Sequence, residues 1–185
     1  MYSRTTYVPD APIVAGTNPD AIDPFIQGGP QPNDITAAVF LLIRTQQMPP
    51  VIFTCPYTDV KTYSPEPATN LSARSNFTNY RDNLGYSFAN PYPSTELAHA
   101  GYQLTNHLSG SFAIAADLNS GEGVKKNSDN HEDRGQNVLF ADGHVAWASS
   151  PLVGVKEDNI FTNRAGVPGG MPSDATDSVL IPMKP

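Results

Sequence analysis

The clearest hydrophobic pattern in the chain covers residues 137–148, where two alternating apolar segments are joined by an Asp-Gly pair. Such a pair between two alternating segments is typical of a β-hairpin with a two-residue turn. We therefore predict that Phe140 pairs with Val145 and that Val138 pairs with Trp147. These four side chains would then share one face of the hairpin, and this face is expected to belong to the core.

A second apolar segment, residues 35–47, carries apolar side chains around nearly its whole circumference. Asn33 or Asp34 can cap a helix at its start, and the pair of prolines at residues 49–50 ends it. A helix that is apolar on most sides is packed on most sides, so we place it at the centre of the fold.

The remaining elements are expected to be short. A partial helix is predicted within residues 95–107, and strands are predicted at residues 51–55, 84–89, 111–118 and 178–181. The sequence thus predicts an α+β fold in which one central helix packs on an antiparallel β-sheet. We expect an extended arm over residues 1–33, a globular domain over residues 34–162, and a loop with a short strand over residues 163–185.

The arm is rich in proline and glycine, which excludes a helix and favours an extended backbone. Its apolar side chains are too numerous for a segment that is only solvated, so something must cover them. The arm could insert into a neighbouring copy, wrap around its own domain, or form a disordered lead. For insertion, the residues expected to contact the neighbouring copy are Tyr7, Val8, Ile13, Val14, Phe25 and Ile26.

The predicted hairpin overlaps a sequence motif that is typical of one protein family. His131 precedes Asp142 and Gly143 with ten residues between His131 and Asp142, and residues 135–145 read GQNVLFADGHV. This pattern resembles the H-x9-DG domain of prepilin-like or pseudopilin-like proteins of planctomycete-type bacteria, and the likeness spans residues 33–162. It implies a pilin-like globular domain at an extracellular or cell-surface location. In this family motif, His131 is expected to bond the backbone or Asp142 and so fix the loop before the hairpin.

Composition narrows the classes of function. The formal net charge is -7 and the basic residues are scattered, which argues against binding to nucleic acid or to an anionic membrane surface. The longest apolar run, residues 35–43, is far shorter than the roughly 20 residues of a membrane-spanning helix. The high content of proline and glycine suits a turn-rich extracellular protein. The lone Cys55 is expected to be a buried hydrophobe.

Oxygen-bearing side chains suggest one site of chemistry. Asp117, Asn119 and Glu122 follow a predicted strand, and His131 and Asp142 could converge on them. Such a set would suit Ca²⁺, although the same residues also serve as ordinary turn formers. The chain has no nucleophile elbow, no Cys-His pattern and no phosphate-binding glycine loop, so we predict that it is not an enzyme.

Two glycosylation sequons start at Asn70 and Asn76, within a segment expected to be an exposed loop. They predict glycan decoration unless they occur by chance.

We expect a structural subunit of an extracellular, pilus-like filament, a homopolymer built head to tail with the arm of one copy inserted into the next. One alternative is a pseudopilin-like accessory component of a type II secretion or pilus system, whose membrane helix is absent from this sequence. The other is a secreted metal-binding or carbohydrate-binding module.

Overall fold

The structure is a computed structural model that describes residues 4–64, 71–123 and 126–184. The chain divides between Leu84 and Gly85 into two compact units. We call them the N-terminal unit, residues 4–84, and the C-terminal unit, residues 85–184. The predicted boundaries after residues 33 and 162 each fall inside one unit.

The N-terminal unit is built around helix α1, Ile35–Gln46, close to the predicted range. Asp34 is the N-cap, and its Oδ1 accepts a hydrogen bond of 2.9 Å from the backbone N–H of Ala37. At the other end Gln47 adopts a left-handed conformation and donates its backbone N–H to Leu42. Because side chains on most sides of α1 are buried, the expectation of a buried helix is confirmed. Its packing on the sheet stays a prediction.

Aromatic rings surround one side of α1. Phe40 contacts Tyr63 and Phe77 edge to face, with ring centroids 5.5 and 5.2 Å apart. Tyr63 and Phe77 also contact each other at 5.4 Å, and Phe53 lies 6.4 Å from Phe77. Edge-to-face rings add to the stabilisation from buried area, so these four residues form the aromatic core of the N-terminal unit.

Residues 4–33 run against their own unit. The backbone N–H of Val14 donates to Asn33, and Ile35 donates back to Val14, which forms an isolated parallel bridge between Val14 and Asp34. The side chain of Asn33 accepts from the N–H of Val8 at 3.0 Å and donates to its carbonyl oxygen at 2.8 Å. Farther along, Ser75 donates to Pro19 through its backbone N–H. Within the single chain these contacts correspond to wrapping, and insertion of the arm into a neighbouring copy stays a prediction.

Polar contacts of Asp34 join the arm to the helix. Its Oδ2 accepts hydrogen bonds from the backbone N–H of Thr17 at 2.8 Å, from the Thr17 hydroxyl at 2.6 Å and from Asn76 Nδ2 at 3.0 Å. Its Oδ1 accepts from Thr36 as well as from Ala37. One buried carboxylate thus caps α1 and fixes the segment that precedes it.

The prediction of a strand at residues 51–55 is wrong. The chain forms a short 3-10 helix there, Pro50–Phe53, with the N–H of Ile52 donating to Pro49. Proline fixes a φ that suits the first turn of a helix and lacks the N–H that a strand would donate. Cys55 is buried, as predicted. The described part of this unit also contains the 3-10 helix Leu71–Ala73 and α2, Tyr80–Asn83.

The C-terminal unit contains a five-stranded antiparallel sheet with the strand order β4-β3-β2-β1-β5. The strands are β1 Tyr86–Ala89, β2 Ala113–Asp117, β3 Gln136–Phe140, β4 Val145–Ala148 and β5 Leu180–Ile181. With the helices, this sheet confirms the α+β class, whereas the pilin-like fold stays a prediction. The core of the unit includes Ala89, Leu97, Tyr102, Phe112, Val138, Phe140, Ile160, Phe161 and Leu180.

The only α-helix of the C-terminal unit among the described residues is α3, Thr95–His99. Ser94 caps it by accepting the N–H of Leu97. The predicted helix continued to residue 107, but the chain turns at Gly101, which has a φ of 92°. In the part of the chain that the structure describes, no helix has the length and apolar character needed to cross a bilayer.

The hairpin forms, but its register differs by one residue from the prediction. Leu139 lies opposite Val145, and Val138 lies opposite Ala146. The turn contains three residues, 141–143, and is closed by a hydrogen bond of 2.9 Å from the N–H of Gly143 to the carbonyl oxygen of Phe140. Gly143 has a φ of 90°, the left-handed conformation that ends such a turn.

This one-residue shift moves β4 side chains to the opposite face. Val138 and Phe140 are buried as predicted, but Val145 and Trp147 are 63% and 52% exposed. The prediction that Val145 and Trp147 belong to the core is therefore wrong. Together they form an exposed apolar surface, which we call the hairpin face.

We expect Asp34→Ala to lower the free energy of unfolding by about 3 kcal/mol, because it removes a helix cap and leaves buried donors without an acceptor. Urea denaturation followed by far-UV circular dichroism measures this change. Asp23→Ala is the matched control, since Asp23 accepts a local bond from Phe25 in an exposed turn. A loss for Asp34→Ala no larger than for Asp23→Ala would contradict the assigned role.

The chain has one tryptophan, so its fluorescence reports the register of the hairpin directly. Because Trp147 is half exposed, acrylamide should quench the native fluorescence of the monomeric chain at a rate close to that of the unfolded chain. Strong protection of the native monomer would instead support the two-residue turn, which buries the indole.

Candidate functional site

Only some of the metal ligands predicted from the sequence lie close together in the structure. Asp117 is the residue around which they meet. This residue ends β2, pairs with Tyr86 of β1 and is fully buried. Its Oδ2 accepts from the backbone N–H of Asn137 at 2.6 Å and from Asn137 Nδ2 at 3.1 Å. Its Oδ1 faces Asn130 Nδ2 at 3.3 Å. A buried carboxylate is thus surrounded by donors.

His131 provides a further contact to the same carboxylate. It ends the 3-10 helix Asp129–His131, and its Nε2 lies 3.1 Å from Asp117 Oδ2. The edge of the imidazole meets the indole of Trp147, with ring centroids 5.2 Å apart and planes at 81°. The expectation that His131 fixes the loop before the hairpin fits this geometry, although its partner is Asp117 rather than Asp142.

The turn that carries His131 is held by polar side chains. Ser128 accepts from the N–H of Asn130 and donates its hydroxyl to the carbonyl oxygen of Leu118. Gln136 accepts from the N–H of Ser128 at 3.2 Å and donates to Ser150 at 2.9 Å. These bonds connect the end of β2 to both arms of the hairpin, so the position of His131 is determined by strands on each side.

Gly135 is required at the base of the hairpin. A Cβ at this position would lie 2.7 Å from the Trp147 ring and would overlap the carbonyl oxygen of Ala148, and φ is 153°. The indole therefore covers the backbone of Gly135 and approaches His131 at the same time. Trp147 belongs to this site, and sequence reasoning missed its role by assigning it to the core.

The other three predicted metal ligands lie elsewhere. Asn119 is buried and donates its amide to the carbonyl oxygens of Phe161 and Leu180 at 2.9 and 3.0 Å. Glu122 pairs with Lys126, with Oε2 and Nζ 3.0 Å apart. The Asn119 amide is therefore occupied by backbone acceptors, and the Glu122 carboxylate is paired with Lys126.

Asp142 lies in the exposed turn of the hairpin. Its Oδ1 accepts the backbone N–H of His144 at 3.0 Å and approaches the imidazole Nδ1 at 2.5 Å. These hydrogen bonds lower the pKa of the Asp142 carboxyl. Asp142 thus fixes the turn locally. Of the five predicted ligands, the structure brings together two, Asp117 and His131.

The predicted arm contacts differ in exposure. Tyr7, Ile13 and Val14 are half-buried, whereas Val8, Phe25 and Ile26 are exposed. Ile22, which lies beside them in sequence, is exposed as well.

The structure describes one of the two glycosylation sequons. Asn70 lies outside the described residues. Asn76 is fully buried, and its Nδ2 donates to Thr17 and Asp34. The nitrogen that would carry a glycan is therefore enclosed, and the expectation of an exposed acceptor at Asn76 is wrong for the folded chain.

Comparison of the chain with models of known families, with curated proteins and with solved structures finds no match. The resemblance to the H-x9-DG domain therefore stays a prediction. What the site can do follows from its own contacts, which join strands through a buried carboxylate and leave an apolar face beside it.

We expect Asp117→Asn to lower the free energy of unfolding by about 3 kcal/mol, because an amide nitrogen would face donors that now meet a carboxylate oxygen. Asp142→Asn is the matched control and should change it by less than about 0.5 kcal/mol, since that side chain is on the surface. Chemical denaturation of both variants measures the difference. Equal effects would show that the buried network contributes no more than the exposed turn.

Proposed function

We propose that this chain is a structural, non-catalytic subunit of an extracellular filament in which copies assemble head to tail. The observation that carries the proposal is a group of large apolar side chains exposed within five residues of one loop. Ile22, Phe25 and Ile26 are 71%, 59% and 60% exposed. We call these three residues the arm loop face. Apolar groups held together at a surface favour contact with another protein surface.

The backbone of the arm loop is held in a definite turn. Asp23 Oδ1 accepts the N–H of Phe25 at 2.9 Å, and the N–H of Gly29 donates to Ile26 at 3.0 Å. A Cβ at Gly29 would lie 2.8 Å from the carbonyl oxygen of Asp23, so the chain approaches itself closely there. The apolar side chains are therefore presented outward by a formed loop, which lowers the entropy lost on binding.

A head-to-tail polymer needs two different surfaces on each copy. We assign the hairpin face, Val145 and Trp147, as the second one, because it is apolar and belongs to the other unit of the chain. In this arrangement the arm loop face of one copy packs on the hairpin face of the next. The wrapped segment stays with its own unit, so assembly requires surface contact and no exchange of the arm.

The experiment is electron microscopy and sedimentation of the full chain beside two variants. The arm loop variant carries Ile22→Ser, Phe25→Ser and Ile26→Ser, and the hairpin variant carries Val145→Ser and Trp147→Ser. We expect filaments from the wild-type chain and monomers from each variant alone. Higher ionic strength should favour the filaments, because salt screens repulsion between copies of net charge -7.

Mixing the two variants provides the decisive control. Each one retains the surface that the other lacks, so an equimolar mixture should form one-to-one dimers that cannot grow. Leu152→Ser removes a different exposed apolar side chain and should leave filaments intact. Filaments from either face variant, or monomers from wild type under all these conditions, would overturn the proposal. The secretion-accessory role would then be examined first.

A second candidate function is a secreted metal-binding module, which the proximity of Asp117 and His131 favours. A carboxylate with an imidazole suits a transition metal, whereas Ca²⁺ prefers oxygen ligands alone. This candidate predicts that removal of metal lowers the melting temperature of wild type and leaves His131→Gln unchanged. Calorimetry in the presence and absence of a chelator measures both.

A further inference from the structure

Two buried carboxyl groups and a buried hydroxyl lie in the segments between β4 and β5, away from the residues that sequence reasoning selected. Asp177 and Ser178 are fully buried, and Asp158 is 7% exposed. The carboxyl groups of Asp158 and Asp177 lie within hydrogen-bonding reach of each other. Two carboxylates this close repel unless a positive charge or a proton lies between them.

Each carboxyl group has one oxygen with protein contacts and one without. Asp177 Oδ2 accepts from the N–H groups of Arg164 at 3.2 Å and Ser173 at 2.6 Å. Asp158 Oδ1 lies 3.6 Å from Arg164 Nη1. In contrast, Asp158 Oδ2, Asp177 Oδ1 and Ser178 Oγ are enclosed, and no protein donor hydrogen-bonds to them in the described structure. Buried oxygens without a donor are rare in proteins, and a bound water or ion is one way in which they are satisfied.

The contacts of Gly154 show that Asp158 and Ser178 lie close together. A Cβ at residue 154 would lie 3.1 Å from Ser178 Oγ and 3.1 Å from Asp158 Cβ. The backbone there is also tied to Asp158, whose carbonyl oxygen accepts the N–H of Gly154 at 2.9 Å. A side chain at this position would therefore crowd both residues.

The charge around these carboxyl groups is negative. Arg164 is shared between Asp158 and Asp174, because its Nε lies 2.5 Å from Asp174 Oδ2. Three carboxylates and one guanidinium leave two negative charges when all are ionised. Burial and the neighbouring Asp177 raise the pKa of the Asp158 carboxyl to about 6.

We propose that Asp158 Oδ2, Asp177 Oδ1 and Ser178 Oγ are ligands of a hard divalent cation, Ca²⁺ or Mg²⁺. Hard cations of this kind are bound by carboxylate and hydroxyl oxygens, and no nitrogen or sulfur ligand is involved. A divalent ion would balance the local charge and satisfy the three orphaned oxygens together. It would tie residue 158 to residues 177–178, which lead directly into β5.

The experiment uses the full chain after dialysis against a chelator at neutral pH. Addition of millimolar CaCl₂ or MgCl₂ should raise the melting temperature by roughly 5 °C, because an ion that binds only the folded state stabilises it. Equilibrium dialysis should find one bound ion per chain. Asp158→Asn should melt higher than wild type in the chelator, since it removes the repulsion, and should lose the response to either ion.

Three further variants make the test specific. Ser178→Ala should weaken the response, whereas His131→Gln and Glu122→Gln, at the site proposed from the sequence, should retain it in full. Two results would overturn the proposal. One is a wild-type chain without bound ion or thermal response, which would mean that Asp158 and Asp177 share a proton. The other is an Asp158→Asn variant that responds as wild type does.

Discussion

The Asp117 carboxylate is the contact on which the arrangement of the candidate site depends. It lies at the end of a central strand and accepts hydrogen bonds from Asn137 and Asn130 while it faces His131. A buried carboxylate is costly unless donors surround it, so the segment that carries those donors must adopt one conformation. The position of the turn at Asp129–His131 follows from that requirement, and the entry into β3 follows with it.

The N-terminal unit uses the same physical device. The Asp34 carboxylate caps α1 and accepts from Thr17 and Asn76, so a single acidic residue organises three segments of the chain. These bonds explain how a proline-rich segment without regular structure stays against its own unit. They also explain why the loop at Ile22 and Ile26 can present apolar side chains outward without collapsing onto the core. The proposed filament contact depends on a loop whose base is fixed to its own unit and whose tip, with Ile22 and Ile26, is exposed.

Elements with a strong local signal could be predicted from the sequence, and those that depend on tertiary contacts could not. Helix α1 was predicted nearly to its ends because capping and proline signals are local. The hairpin was predicted, but its register was not, since Asp-Gly also suits a three-residue turn with glycine in the left-handed position. The apolar segment at Val51 looked like a strand, yet the preceding prolines favour a helical turn.

The candidate site shows the same limit. Asp117 and His131 were selected because acidic and imidazole side chains suggest chemistry, whereas Asn130 and Asn137 carry no such signal in their spacing. Asp158 and Asp177 were missed because nineteen positions separate them and each stands in a polar segment that looks like a surface loop. Burial converts ordinary surface residue types into functional candidates, and burial is a property of the fold rather than of the local sequence.

Buried hydrogen bonds to Asp117 hold β3 and the His131 turn in place. Native-state hydrogen exchange of the Asn137 backbone amide is the measurement to make, because that N–H donates to Asp117 Oδ2 at 2.6 Å. We expect this amide to exchange as slowly as the amide of Val138 in the core of the sheet. Exchange as fast as that of amides in the exposed turn at Asp142 would contradict it.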